Sequence, residues 1–464
     1  MGLSAELATR IGAFSHDDVT EEALHWARIG LIDYAGVTLA GSTEPSGKIA
    51  AVVVDAAEQD GDCLIFGTNR RTTALNAAII NGTASHAQDF DDCNNTIGGH
   101  PSAPILPAAI AVAESKGISG RDLITAYVLG FEVECCIAQG VHFHHYEKGW
   151  HPTATMGVFG ATAACAKLLG LSEEHTATAM SIAVSLASGV KSNFGTMVKP
   201  LHVGHASRHG LFAARMAQEG FTASPEAFDH KQGFFEVFNG AGNYHPEKIF
   251  ANWCDPLKIV EPAIAVKQYP CCGSTHPPVD AMLNLVEREG LTPEMVVKIE
   301  SLTHPRRLQH TNRPDPQSPL DAKFSVQYCV SRALMHGKVV LPHFDDTAYL
   351  DKDVRAVMAK VHAGHHPDMP AGSDNHLGAE IRAELKDGRV VSERVAQARG
   401  RGSLDPLPLD KVKAKFENCA SLVLPSDRIA ALYATLDDFE NLADVRAFTE
   451  AAEVAAASAT AAAE

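Results

Sequence analysis

Through most of the first 265 residues, apolar positions recur at helical spacing, and the residues between the runs are those of helix ends. Thr20 stands before Glu21, Glu22 and the run WARIGLIDYAGVTLAG, a polar cap and acidic first turn that predict a helix. A second helix is expected near residues 73–88. SAPILPAAIAVAESKG predicts a third, ending at Gly117, and Ser119 opens a fourth through DLITAYVLGFEVECCIAQG. TATMGVFGATAACAKLLG closes at Gly170. Ser172, followed by Glu173 and Glu174, opens the next, expected to run to Gly189, and PLHVGHASRHGLFAARMAQEG ends at Gly220. A glycine just past a helix accepts the left-handed conformation that terminates it. Ala and Gly dominate these runs, so the helices are expected to pack backbone against backbone. There is no fixed repeat and no βαβ alternation.

The texture changes near residue 260. VVKIESLTH alternates like a strand, Pro becomes frequent between Pro305 and Pro319, and IRAELKDGRVVSERV reads as a hairpin turning at Asp387-Gly388. LDPLPLDKVKAKFENCA returns to helical spacing. The fold class expected is mainly α: a large all-helical domain over 1–265, completed by about 401–450, and a smaller α+β lid domain over 266–400. The Ala-rich residues 451–464 are expected to be a disordered tail.

A length of 464 residues agrees with two domains. The formal net charge of -17 disfavours nucleic acid and anionic membrane as partners. Ten cysteines are scattered without a CxxC pair, which points to reduced thiols and a cytoplasmic setting. The opening MGLSAELATRIGAFSHDD carries acids and no long apolar run, so no secretory signal is expected, and no stretch is apolar enough to span a membrane.

Against this acidic background, His175–Gln218 contains no Asp or Glu but holds Lys191, Lys199, His202, His205, Arg208, His209 and Arg215. A buried helix pair would also exclude acids, but KPLHVGH, a lysine at a helix start with two histidines, suits a carboxylate. HAQDFDDCNNTIGGHPSAP sets Asp89, Asp91 and Asp92 before a Gly-Gly turn and His100, at the start of a helix. A solvated acidic loop is the plainer alternative, and the spacing lacks a calcium loop's ligands. HFHHYEKGWHP holds His142, His144, His145 and His151. Without HExxH or a cysteine knuckle it argues against zinc, and His151 before Pro152 is the better candidate for proton transfer. VKQYPCCGSTHPPVDA brings Lys267, Tyr269, Cys272 and His276 to the expected domain junction. Its adjacent cysteines do not match an iron–sulfur pattern. NGAGNYHP is a loop, without a dinucleotide fingerprint.

HAQDFDD…HPSAPILPA, GWHPTATMGVFGATAACAKLLGL, NFGTMVKPLHVGHASRHGLFAARMAQEGFTA and KQYPCCGSTHPPVDA resemble the MmgE/PrpD family in order and spacing, over about residues 5–345. The family includes 2-methylcitrate dehydratase, cis-aconitate decarboxylase and iminodisuccinate epimerase. The resemblance implies a homodimer and catalysis with neither metal nor cofactor. It also implies active-site roles for Asp89, His100, His151, Lys199, Lys267 and Tyr328. Two positions depart from the decarboxylase-type members: Cys93 replaces a threonine and Cys272 a histidine.

The chemistry these members share is removal of a proton, or of CO2, next to a carboxylate of a small polycarboxylate. It needs a positioned base and positive groups facing the developing charge. His151 is the expected base. Lys199 and Lys267 are expected to hold substrate carboxylates, with His202, Tyr269, Cys272 and His276 around them. His100 or Tyr328 would assist the leaving group. Dehydration of a 2-methylcitrate-like acid is the reaction expected first. Cys272, a poor acid at neutral pH, argues against efficient decarboxylation. Epimerisation of an iminodisuccinate-like substrate, cis-aconitate decarboxylation and non-catalytic polycarboxylate binding are the alternatives.

Overall fold

The computed structural model describes residues 2–54, 60–373 and 375–455. The fold is mainly α, with twenty α-helices and six short strands among these residues. Among the described residues no helix is long and apolar enough to cross a membrane. The largest buried apolar cluster runs from Leu3 to Val266 and is joined again by residues between Leu407 and Ala452. A separate cluster, from Tyr269 to Leu385, forms the core of a smaller α+β unit.

The helix caps act as their residue types dictate. The Thr20 side chain accepts from Ala23 N ahead of the helix Glu21–Gly41, and Ser119 and Ser172 cap the helices Gly120–Gln139 and Glu173–Leu186 in the same way. The expected boundaries shift in three places. The run 153–170 is two helices, Pro152–Thr155 and Gly157–Leu168, meeting at Met156. The helix after Ser172 stops at Leu186, and Gly189, at φ 124°, lies in the loop beyond it. The helix read from Pro200 begins at Val198, which puts Lys199 in its first turn.

That helix, Val198–Gln218, crosses Ala74–Ser85 at very close range. A Cβ on Gly204 would lie 2.2 Å from Thr83 Oγ1 and 2.4 Å from the Ile79 carbonyl oxygen, so only glycine fits there. The crossing sets Lys199 over the turn that follows Ser85, where His86, Asp89 and Asp91 sit. The returning helix Leu409–Ala420 packs on Glu21–Gly41. From it, Lys415 pairs with buried Asp33 at 2.6 Å and donates to the Phe90 carbonyl oxygen at 2.6 Å, clamping the same turn from behind.

In the smaller unit the strand order is Val361–His365, Val296–Thr303, Ala379–Leu385, Val390–Val395. The first pair is parallel and the others antiparallel. The last two strands form the expected hairpin, with Gly388 at φ 87° in its turn. Of the stretch expected to be a disordered tail, Ala451 and Ala452 close the helix Arg446–Ala452, and residues 456–464 lie outside the described residues.

Candidate functional site

Three chain segments meet at Ala265. Cys93 and Ala265 exchange backbone hydrogen bonds at 2.9 and 2.8 Å, and Ala265 bridges Arg401 on its other side. The junction lies beside a cavity of about 130 Å³. This is smaller than the roughly 300–1,000 Å³ typical of drug-sized ligand sites, so it suits a small ligand. Asp89, Cys93, His100, His151, Lys199, Lys267, Cys272, Arg307 and Arg401 are in its wall.

Asp89 is the electrostatic centre. Its Oδ1 accepts from Lys199 Nζ at 2.8 Å and pairs with Lys267 Nζ at 3.1 Å, and His100 Nε2 lies 3.5 Å away. Lys267 also donates to the Asp89 carbonyl oxygen at 2.7 Å. Asp89 sits at φ 52°, a conformation unusual for a residue with a side chain; the two lysines brace it from both sides. Burial alone would raise its carboxyl, but Lys199, Lys267 and His100 draw it well below the usual range, so Asp89 is ionised.

Asp91 joins two histidines. It accepts from His86 Nδ1 at 2.8 Å and lies 3.1 Å from His100 Nδ1. His86 Nε2 in turn accepts from Lys199 Nζ. Burial and the nearby Lys199 push His86 down to about 3, so its ring is neutral. His100 is the opposite case. Burial would lower it, but Asp91 and Cys93 raise it to about 9, which makes it an imidazolium at neutral pH. Cys93 Sγ is 3.8 Å from His100 Nδ1. Burial raises this thiol while His100 and Lys267 lower it, leaving it at about 6.

Among the described residues no carboxylate pairs with His151. Its Nδ1 is 3.2 Å from His202 Nδ1, its ring meets Phe194 edge-on, and burial together with Lys199 and His86 drives it well below its normal value. It is a neutral imidazole. Cys272 lines the cavity as a protonated thiol, pushed up to about 11 by burial and Asp89. Asp92 lies outside the cavity, bonded to Ser102 Oγ, with burial and Asp33 holding its carboxyl well above the usual range.

The cavity thus gathers Asp89, His100, His151, Lys199, Lys267 and Cys272 from the residues read in the sequence. His202 touches it only through His151. Three expected residues are elsewhere. Tyr328 donates to the His343 carbonyl oxygen, Tyr269 donates to Asp280 Oδ1 at 2.5 Å, and His276 Nε2 is 3.2 Å from the Cys271 carbonyl oxygen. All three are packed in the smaller unit and are absent from the cavity wall. The sequence reading passed over His86, Arg307 and Arg401. His86 opens the very motif that contains Asp89. Arg401 had one local signal, glycines on both sides, and Gly400 and Gly402 take φ values of 77° and 83°.

His86, Asp89, Asp91 and His100 each bring a ligand atom within 4.8 Å of the others. A metal ion placed there would meet Lys199, Lys267 and a protonated His100 at contact range. The charges already present balance one another as an ion-pair network.

The chain matches the family model for the MmgE/PrpD N-terminal domain over residues 5–247 and that for the MmgE/PrpD C-terminal domain over residues 269–438. A protein named cis-aconitate decarboxylase from Homo sapiens is 30% identical over 461 residues, covering 96% of this chain and 94% of the relative. One of the same name from Mus musculus is 32% identical over 388 residues, covering 80% and 77%. A 2-methylcitrate dehydratase from Escherichia coli (strain K12) is 24% identical over 415 residues, covering 82% and 84%. With both parts of the chain matched in order, this protein belongs to the MmgE/PrpD family.

Proposed function

We propose that the chain is a lyase acting on a small polycarboxylate, and that decarboxylation of a cis-aconitate-like acid is its reaction. The observation that carries this reading is the protonated His100 beside the Asp89–Lys199–Lys267 cluster, in a cavity of small volume. The dehydratase expected from the sequence gives way for two reasons. The decarboxylase relatives match at higher identity than the dehydratases do, 30 and 32% against 24%. The argument from Cys272 also loses its force, because the neutral thiol need not be the acid when His100 offers a proton in the same cavity.

The chemistry follows from the charges. When the C–C bond to the departing carboxylate breaks, CO2 leaves and the electron pair shifts through the adjacent double bond. The far carbon then takes up one proton. An imidazolium with a value near 9 supplies it readily and is refilled from solvent at neutral pH. Lys199 and Lys267 supply positive potential where the electron pair accumulates, and Asp89 fixes both ammonium groups before substrate arrives. His151 is neutral, but a ring held this far below its ordinary value is a weak base, so it is a poorer partner for proton removal than His100 is for proton delivery.

Purified protein supplied with cis-aconitate and, separately, with 2-methylcitrate tests the choice. CO2 release from the first with no water loss from the second is the expected result. The reverse result would overturn decarboxylation in favour of dehydration.

A further inference from the structure

Positive charge in this cavity is of two kinds. Lys199 and Lys267 share one carboxylate, Asp89, and Arg306 pairs with Glu147 at 2.8 Å. Arg307 and Arg401 have no carboxylate within ion-pair range among the described residues. Arg307 is only 7% exposed. Its Nε donates to the His376 carbonyl oxygen and its Nη1 to Ser274 Oγ at 3.4 Å. Arg401 donates from Nε and Nη2 to one neutral acceptor, Asn95 Oδ1, at 3.3 and 2.7 Å. Each of these contacts uses an edge of the guanidinium and leaves its charge unbalanced. A buried cation without a counter-ion is costly. At Arg307 burial and the neighbouring Arg401 both act against the charge and bring it down to about 9.

Both arginines are also held in place. The Ala265 bridge and the flanking glycines fix Arg401. A Cβ on Gly402 would lie 2.2 Å from the Pro262 carbonyl oxygen, so this loop has one close-packed path. Arg307 lies in the helix Pro305–Thr311, beside Ser274. A planar fork with free N–H groups in a fixed position matches the geometry of a carboxylate, which accepts two parallel hydrogen bonds.

We infer that Arg307 and Arg401 form the carboxylate-binding subsite of this cavity and hold the substrate carboxylates that do not react, while Lys199 and Lys267 are committed to Asp89. The inference rests on the polycarboxylate reading above and deepens it. It also accounts for which carboxylate can leave. A carboxylate gripped by an arginine fork is stabilised as an anion and resists loss of CO2, so the reacting group is one that the arginines do not hold.

The test uses tricarballylate, a saturated tricarboxylate that can neither lose water nor shift a double bond, and glutarate, which lacks its central carboxylate. Binding to the full chain is measured by calorimetry for wild type, Arg307→Gln, Arg401→Gln and the corresponding lysine variants. Each glutamine variant is expected to bind tricarballylate about ten- to a hundredfold more weakly than wild type. The lysine variants, which keep the charge without the fork, should lose about three- to tenfold, and they carry the test if a glutamine variant does not fold. At least one arginine variant should also narrow the difference between tricarballylate and glutarate. Wild-type affinity in all four variants, or no tricarballylate binding by wild type, would overturn the inference. Arginine-dependent binding by a protein that neither decarboxylates nor dehydrates its candidate substrates would uphold the subsite and reject the proposed reaction.

Discussion

Two parts of the cavity wall treat charge in opposite ways. Around Asp89, every cation has its anion in place: Lys199 and Lys267 on Asp89, His100 on Asp91. At Arg307 and Arg401 the partners are neutral oxygens of His376, Ser274 and Asn95. The first part is complete without a ligand, and the second is completed by one. The difference teaches that the cations nearest the reacting atoms need not be those that recognise substrate. Ion pairs formed in advance fix geometry, whereas unpaired charge provides affinity.

Removing the shared anion is the most severe way to break this contrast. Asp89→Ala leaves two buried ammonium groups facing each other. The expected outcome is a loss of about 3–5 kcal/mol of unfolding free energy, read by urea denaturation, together with loss of turnover. A loss below about 1 kcal/mol would mean that the lysines are not balanced by Asp89.

A second test sharpens the role of His100. His100→Gln should lower kcat by about 10²- to 10⁴-fold, the usual contribution of a positioned acid, with a smaller change in tricarballylate affinity. In the wild type, kcat/KM should fall as pH rises through about 9, where the imidazolium gives up its proton. The stability effect has the same direction. His100 is raised from 6.5, so its stabilisation is complete below pH 6.5 and is lost as pH climbs through about 9. A rate independent of pH across this window would remove His100 as the acid.

The smallest effect is expected at a residue that the family resemblance placed in the site. Tyr328 donates to the His343 carbonyl oxygen and accepts from Arg332 Nε at 3.0 Å, away from the cavity. Tyr328→Phe should cost about 1 kcal/mol of stability and leave kcat within roughly twofold of wild type. A hundredfold drop in kcat would show that Tyr328 reaches the substrate after all.

What could be read in the sequence follows from how local the signal is. Thr20, Ser119 and Ser172 announce their helices because a cap needs only its own next three residues, and Asp387-Gly388 announces its hairpin for the same reason. The break at Met156 and the start at Val198 depend on neighbours distant in sequence, so spacing alone misplaced them. Among site residues, the acid-free stretch around Lys199 stood out because the rest of the chain is acidic. His100 and His151 stood out through the His-Pro pairs that start helices. Arg307 and Arg401 lie in segments rich in other charged residues, where an arginine ordinarily faces solvent. Tyr269 and His276 were placed in the site because they neighbour Lys267 and Cys272 in sequence, yet the chain turns their side chains into the core of the smaller unit.

The backbone junction at Ala265 also bears on synthesis. Cys93, Ala265 and Arg401 are joined there although more than three hundred residues separate the first from the last. Closing so wide a loop is entropically demanding, and contacts of this range form late. A chain still emerging from the ribosome already carries every residue of the Asp89 cluster, 86 to 267, before Arg401 and the Lys415 clamp behind that turn have left the exit tunnel. The nascent protein would then hold its ion-pairing residues before its acid-gripping arginines, and the last segments to be made would complete the binding pocket.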